Sequence, residues 1–352
     1  SYAGGISMII AVGTIISSLQ SDRLTKKFGT GKVTAFSVLM TAAALWGFSV
    51  SHSYIALCLW AIPYGLGAGS VDASLNNYVA LHYASRHMSW LHCMWGIGAS
   101  LGPYIMGYAL SGSGSWNMGY LYVAVLQIIL TAILLFSLPL WKGRISADAA
   151  ADTEKQEPLS LKKIIRIPGA KAVMVTFFCY CATEQTTGLW ASSYLMLNRG
   201  LSEDAAASFA SLFFVGITIG RALGGFLTLK LNDAQMIRLG QVLVAVGALS
   251  LLIPFGVSGA MIGLILIGLG CAPIYPSIIH STPERFGADK SQAIIGVQMA
   301  SAYVGTCLMP PVFGVIANHI NVSLLPIYLL VILMIMVFMH EKLLKVTSKR
   351  HI

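Results

Sequence analysis

Charge is what this sequence has least of: Asp, Glu, Lys and Arg make up 10% of its 352 residues, against 56% hydrophobic residues. Soluble domains carry roughly 25% charged residues, so a chain this poor in charge cannot cover a water-facing surface. Strand-like alternation of apolar and polar residues is also missing, which argues against a membrane β-barrel. The six cysteines, Cys58, Cys93, Cys179, Cys181, Cys271 and Cys307, form no C-x-x-C pair and read as small buried apolar residues. His82, His87 and His92 recur every five residues, which turns each away from the last on a helix. A metal site takes spacings of three or four. No G-x-x-x-x-G-K-[ST] loop is present, and Gly29-Thr30-Gly31-Lys32 lacks its spacing, so ATP drive is not expected. With no Ser/His/Asp set, metal spacing or cofactor loop in a soluble segment, neither catalysis nor a bound cofactor or metal is expected.

What is present is apolar sequence in lengths that cross a bilayer. Such stretches need roughly 20 residues, and eleven occur, at about 3–19, 33–50, 54–80, 89–110, 118–141, 172–197, 205–228, 236–255, 258–280, 291–316 and 323–341. Helices satisfy their own backbone hydrogen bonds in lipid, so the expected fold is an all-α polytopic membrane protein. Numbering the breaks alternately puts 20 of the 22 Lys and Arg on one side, leaving only Arg199 opposite and Arg221 within a span. This is the positive-inside pattern. It places loops 20–32, 82–88, 142–170, 229–235 and 283–290 and the C-terminus in the cytoplasm, and the expected location is the cytoplasmic (inner) membrane. Topology thereby explains the net charge of +9, and a nucleic-acid partner, which needs a basic patch on a folded surface, is not expected.

The halves repeat. Gly98, Pro103 and Gly107 recur as Gly305, Pro310 and Gly314, an offset of 207 residues. Parallel half-repeats mark one large transporter architecture. The longest polar stretch divides the chain where the repeat does. The expected layout is a bundle at 1–141, a cytoplasmic linker at 142–170 with a surface helix near 159–166, and a second bundle at 171–352. The register gives six spans to the second half and five to the first, so a first helix is expected upstream of Ser1.

Specific segments carry a family resemblance. Ser18-Leu19-Gln20-Ser21-Asp22-Arg23-Leu24-Thr25-Lys26-Lys27 resembles the G-x-x-x-D-R-x-G-R-K loop of the major facilitator superfamily, with Ser18 and Thr25 in place of both glycines. Gly67-Ala68-Gly69-Ser70-Val71-Asp72-Ala73-Ser74-Leu75-Asn76 is similar to the G-x-G-x-x-E-x-x-x-N segment of the fucose:proton symporter group, with Asp for Glu. Tyr180, Glu184, Gly188, Trp190 and Tyr194 resemble that group's Y-x-x-x-E-x-x-x-G-x-W-x-x-x-Y pattern, and Trp90-Leu91-His92, Trp95-Gly96-Ile97-Gly98 and Gly102-Pro103 are again like group members. The resemblance covers the whole chain. It implies a transporter with two six-helix bundles, a gating role for Asp22, Arg23, Lys26 and Lys27, proton coupling at Asp72 and sugar contact at Asn76.

The residues support a polar centre independently. Asp72 and Glu184 fall near the bilayer midplane, where a carboxylate is costly and normally faces a bundle interior or a water-filled cavity. Such a group either couples protons or, held protonated, fixes helix packing; Glu184 is equally a candidate to bind substrate. Asn76 lies one turn from Asp72. With Gln185, Tyr180, Trp190, His92, Trp95, Tyr275 and Gln298 it offers the donors and aromatic faces that sugars need, though aromatic residues also serve lipid-facing positions. His92 lies near the cytoplasmic end of its span and also suits a gate. Arg221, in Gly220-Arg221-Ala222, is within reach of the cytoplasmic interface by snorkelling, and a structural or gating role is expected of it. Gly65, Gly67 and Gly69, and Gly216, Gly220 and Gly224, are expected to let helices approach closely. The expected function is secondary transport of a sugar or similar small polar solute by alternating access, as proton symport by a monomer in the lipid bilayer. Proton-driven efflux of drug-like compounds is the alternative, and a non-transporting receptor or sensor on the same scaffold a more distant one.

Overall fold

The computed structural model describes residues 2–113, 115–142, 158–253 and 256–348. Among them the regular structure is helical. The long helices are α1 (Tyr2–Phe28), α2 (Thr30–Val50), α3 (Tyr54–His82), α4 (Ser85–Ser113), α5 (Trp116–Lys142), α7 (Ala170–Arg199), α8 (Glu203–Leu227), α9 (Asp233–Leu252), α10 (Gly256–His280), α12 (Ala288–His319) and α13 (Leu325–Ser348). Two short helices, α6 (Leu161–Arg166) and α11 (Thr282–Phe286), and a 3₁₀ turn at Val322–Leu324 fill breaks between them. The eleven expected spans therefore appear as eleven helices. The short helix expected near 159–166 is α6, whereas 143–157 of the expected linker lie outside the described residues.

Nine of the eleven are apolar enough over an 18-residue window to cross a bilayer on composition alone. The other two are α4 and α7. The first opens on Ser85, Arg86 and His87; the second buries Thr176, Thr183, Glu184, Thr186 and Thr187. These are also the helices that carry most of the candidate polar centre. By contrast, α5 shows Ile129, Ile133, Phe136 and Leu140 as an exposed stripe, spaced to share one helical face and apolar enough to meet lipid.

Sequence reasoning placed several breaks too generously. The polar stretch 20–32 is not a loop: α1 continues through Lys27 and ends only at Gly29, whose φ of 80° suits a residue without a Cβ. Polar residues at a helix end keep the backbone bonded, and the i,i+4 pair Lys26–Asp22 at 3.1 Å adds to it. Likewise 82–88 shrinks to the two residues between α3 and α4, and 283–290 is largely helical. At α9 the start is fixed by a reciprocal cap, Asn232 accepting from Gln235 N–H while the Gln235 side chain accepts from Asn232 N–H.

The chain forms two compact units. One comprises Ser1–Tyr78, Gly98–Ile165 and Gly287–Ala300; the other Val79–Ile97, Arg166–Phe286 and Ser301–Ile352. Each unit thus includes one segment from the opposite half of the sequence. Inside the first unit, α1 and α3 approach at Gly13 and Gly65, and α2 packs against α5. Inside the second, α8, α9 and α10 pack through glycines: Gly216 against Gly268, Gly240 against Gly270 and Gly247 against Gly263.

The segment from the opposite half is seated in a matching way in each. In the first unit a Cβ on Gly296 of α12 would meet the Ser18 carbonyl at 2.6 Å and Ser21 Oγ at 2.9 Å on α1. In the second, a Cβ on Gly224 of α8 would meet Ser89 Oγ of α4 at 3.7 Å, an ordinary van der Waals distance. The 207-residue offset carries Ser89 onto Gly296, and Ser18 onto Gly225, which lies next to Gly224 and itself faces Trp90. Pro103 and Pro310, paired by the same offset, lie inside α4 and α12.

Candidate functional site: two polar centres

In the second unit the polar centre is built around Glu184 on α7. Tyr180 lies one turn earlier on the same face and donates its hydroxyl to the Glu184 carboxylate. Arg221, from α8, brings Nη2 to 3.7 Å from Glu184 Oε2 and to 3.4 Å from the Tyr180 hydroxyl, and Nη1 donates to the His92 carbonyl at 3.3 Å. Glu184 is 7% and Arg221 3% exposed. A buried charge is tolerable only when paired and hydrogen-bonded, and these contacts supply the pairing. Arg221, within reach of the interface by snorkelling on its sequence position, is instead held by the Glu184 carboxylate inside the unit.

Aromatic rings close the surroundings. Trp95 lies 4.8 Å from the Arg221 guanidinium, a cation–π arrangement, and is itself half exposed. Tyr275 of α10 touches His92 edge to face at 4.4 Å and lies 5.8 Å from Tyr180, with Phe177 against both tyrosines. Six of the expected residues (Tyr180, Glu184, His92, Trp95, Tyr275 and Arg221) thus form one cluster. Gln185 is half-buried beside it on α7. Trp190 has another attachment. Its indole N–H donates to the Pro310 carbonyl at 3.1 Å and its ring meets Phe313 edge to face at 5.3 Å, which joins α7 to α12.

The first unit holds the other polar centre. Asn76 Nδ2 donates to Asp72 Oδ1 at 2.8 Å, one turn apart on α3 as the sequence spacing indicates. Next to it, Ser291 donates to Asn77 Oδ1 at 2.7 Å, and Gln292 Nε2 to Ser21 Oγ at 3.2 Å and the Ala73 carbonyl at 3.3 Å. Gln298 is fully buried on the same stretch of α12. Asp22 is buried; its Oδ2 takes Lys26 and the Leu159 backbone N–H at 3.3 Å. Arg23 and Lys27 are exposed.

Two groups escaped sequence reasoning. Gln292 and Ser291 are ordinary polar residues at the start of a span, with no pattern to mark them. Asp233 joins Ser85 at 2.7 Å and His280 Nδ1 at 2.6 Å, while His280 Nε2 reaches the Tyr83 carbonyl at 3.2 Å. The usable signal was the offset: it carries Ala73 and Gln292, which touch in the first unit, onto His280 and Ser85, which share Asp233 in the second.

The Major Facilitator Superfamily model matches residues 1–183 and again 173–351. The chain belongs to the Major Facilitator Superfamily. Members are transporters rather than enzymes, and the fold is the all-α polytopic one expected. Bypass of stop codon protein 6 of Saccharomyces cerevisiae is 22% identical over 90% of this chain and 69% of its own length. A di-/tripeptide transporter of Lactococcus lactis is 24% identical over 44% of this chain and 30% of its own. A glucose/galactose transporter of Brucella abortus is 23% identical over 88% and 77%. Among solved structures, the transporter FucP in the outward conformation superposes with a TM-score of 0.76 at 17% identity, over 96% of this chain and 89% of that one. The proton:xylose symporter XylE does so with 0.76 at 14%, over 96% and 85%. The major facilitator resemblance of the sequence motifs is thereby confirmed, and the superposition shows the shared fold.

Proposed function

We propose that this integral membrane protein is a secondary active transporter that moves a sugar or similar small polar solute by alternating access, as proton symport. The observation that carries the reading is the buried Glu184–Tyr180–Arg221 cluster, a carboxylate that can take up a proton beside a fixed cation. Asp72, hydrogen-bonded to Asn76, is the second proton-coupling carboxyl. The residues proposed to contact the solute are Asn76 and Gln298 in the first unit and Tyr180, Gln185, His92, Trp95 and Tyr275 in the second; Trp190 is fixed to Pro310. Asp22, Arg23, Lys26 and Lys27 serve the gate. Residues 1–141 and 171–352 act as the two bundles with 142–170 as their linker. The protein works as a monomer in the cytoplasmic membrane, with the basic loops in the cytoplasm.

Sugar-named transporters among its relatives and fold neighbours support this choice of solute. The test is uptake of radiolabelled hexoses and pentoses into proteoliposomes under an imposed proton gradient. Accumulation that collapses with a protonophore supports symport, whereas uptake indifferent to the gradient overturns it.

A further inference from the structure

The charge inventory of the second unit's centre says something about the solute that the fold does not. Arg221 is 3% exposed and keeps its proton at any physiological pH. Among the described residues its close anion is Glu184, at 3.7 Å from Nη2, and Arg221 Nε has no hydrogen-bond partner there. Among the described residues, other titratable groups facing the cluster are Tyr180 and Cys181 on α7, Cys271 and Tyr275 on α10, and His92 on α4. None of these is an anion in its ordinary state.

Consider what a proton on Glu184 does there. The proton adds to the carboxylate and no bond to carbon changes; the product is a neutral acid. Arg221 is then a buried cation with no counter-charge, the situation that makes breaking a buried pair costly. A neutral sugar does not cure this, because hydroxyls supply dipoles and no charge. A carboxylate on the solute does: it replaces Glu184 as the anion and can use the Nε–H and Nη donors together as a planar fork. The centre is then neutral both empty, as Glu⁻ with Arg⁺, and loaded, as protonated Glu, Arg⁺ and solute carboxylate.

We infer that the solute this protein takes is a sugar acid, or a polyol of that size bearing a carboxylate, and that Arg221 is the residue that selects it. The inference rests on Glu184 being a proton-coupling site. The half-exposed Trp95 ring over the guanidinium gives the sugar's C–H face a surface to lie on, beside the charge that holds its carboxylate.

The experiment compares D-glucuronate with D-glucose, which differ by that one carboxylate, at matched ionic strength on the full chain in lipid. Glu184→Gln imitates the protonated acid. It is expected to melt at a lower temperature than the parent, to be raised by glucuronate and not by glucose, and to bind glucuronate at least about tenfold more tightly. Arg221→Gln/Glu184→Gln removes both charges and is expected to melt higher than Glu184→Gln alone and to lose the preference. Equal responses to the two sugars, a response to glucose alone, or a response to neither overturns the inference. If Glu184→Gln does not fold, proton uptake by the parent protein in weak buffer decides: uptake on adding glucuronate supports the inference, and its absence overturns it. The broader reading fails separately. A proton gradient that drives neither sugar sinks symport, whereas one that drives glucose and not glucuronate leaves symport standing and removes only the carboxylate.

Discussion

Arg221 and Glu184 sit 37 residues apart in sequence on different helices, yet their charged ends are 3.7 Å apart and both side chains are buried. Each makes the other tolerable. Breaking such a pair from one side leaves an uncompensated charge in a medium that solvates it poorly, at a cost of about 3–5 kcal/mol.

Arg221→Gln is therefore expected to destabilise the protein by about 3 kcal/mol, read as a lowered melting temperature in lipid or detergent. Adding Glu184→Gln should recover most of that loss, because two neutral amides of similar volume replace two charges. A double variant no more stable than Arg221→Gln would show that the pair contributes shape rather than charge.

Asp72→Asn keeps the size of the side chain and leaves Asn76 an oxygen to bond, but removes the protonatable carboxyl. Proton-driven accumulation in proteoliposomes is expected to disappear while solute counterflow continues. Normal accumulation by the variant would remove Asp72 from the coupling machinery.

At the α1–α12 crossing, Gly296→Val must displace a backbone carbonyl that a Cβ would meet at 2.6 Å. Overpacking of that kind costs about 1–3 kcal/mol, and thermal unfolding should register it. Gly98→Ala is the matched control: nothing lies within 4 Å of its added Cβ, and alanine favours helix by about 1 kcal/mol. It should be neutral or stabilising.

Trp190→Phe retains an aromatic ring against Phe313 but loses the N–H bond to Pro310. A loss near 1 kcal/mol of stability is expected, with solute affinity changed less than twofold. Trp190→Ala should cost about 3 kcal/mol or more. Should Trp190→Phe instead weaken solute binding tenfold at unchanged stability, the indole N–H belongs to the solute.

The spans were legible because bilayer thickness imposes one length on all of them and loop charge imposes alternation. That is why α4 and α7 could be read as spans although their polar residues keep them below the apolarity of the other nine. Helix ends were less legible. Residues such as Asp22 and Lys26 are polar enough to look like loop, but a helix leaving the membrane has no reason to stop until a residue like Gly29 ends it. The Asp72–Asn76 bond followed from helical periodicity. The Glu184–Arg221 pair did not, since nothing periodic links residues on separate helices. The available clue was physical: a buried cation in one span and a carboxylate in the preceding one each needed a partner.

The tryptophan lying 4.8 Å from the Arg221 guanidinium has a practical corollary. Indole emission shifts when a nearby charge changes or moves, so Trp95 is a natural optical gauge placed beside the ion pair. With six further tryptophans in the chain, its signal emerges by difference against Trp95→Phe. Ligand arrival at the centre could then be watched as a colour shift, without attaching a label to the protein.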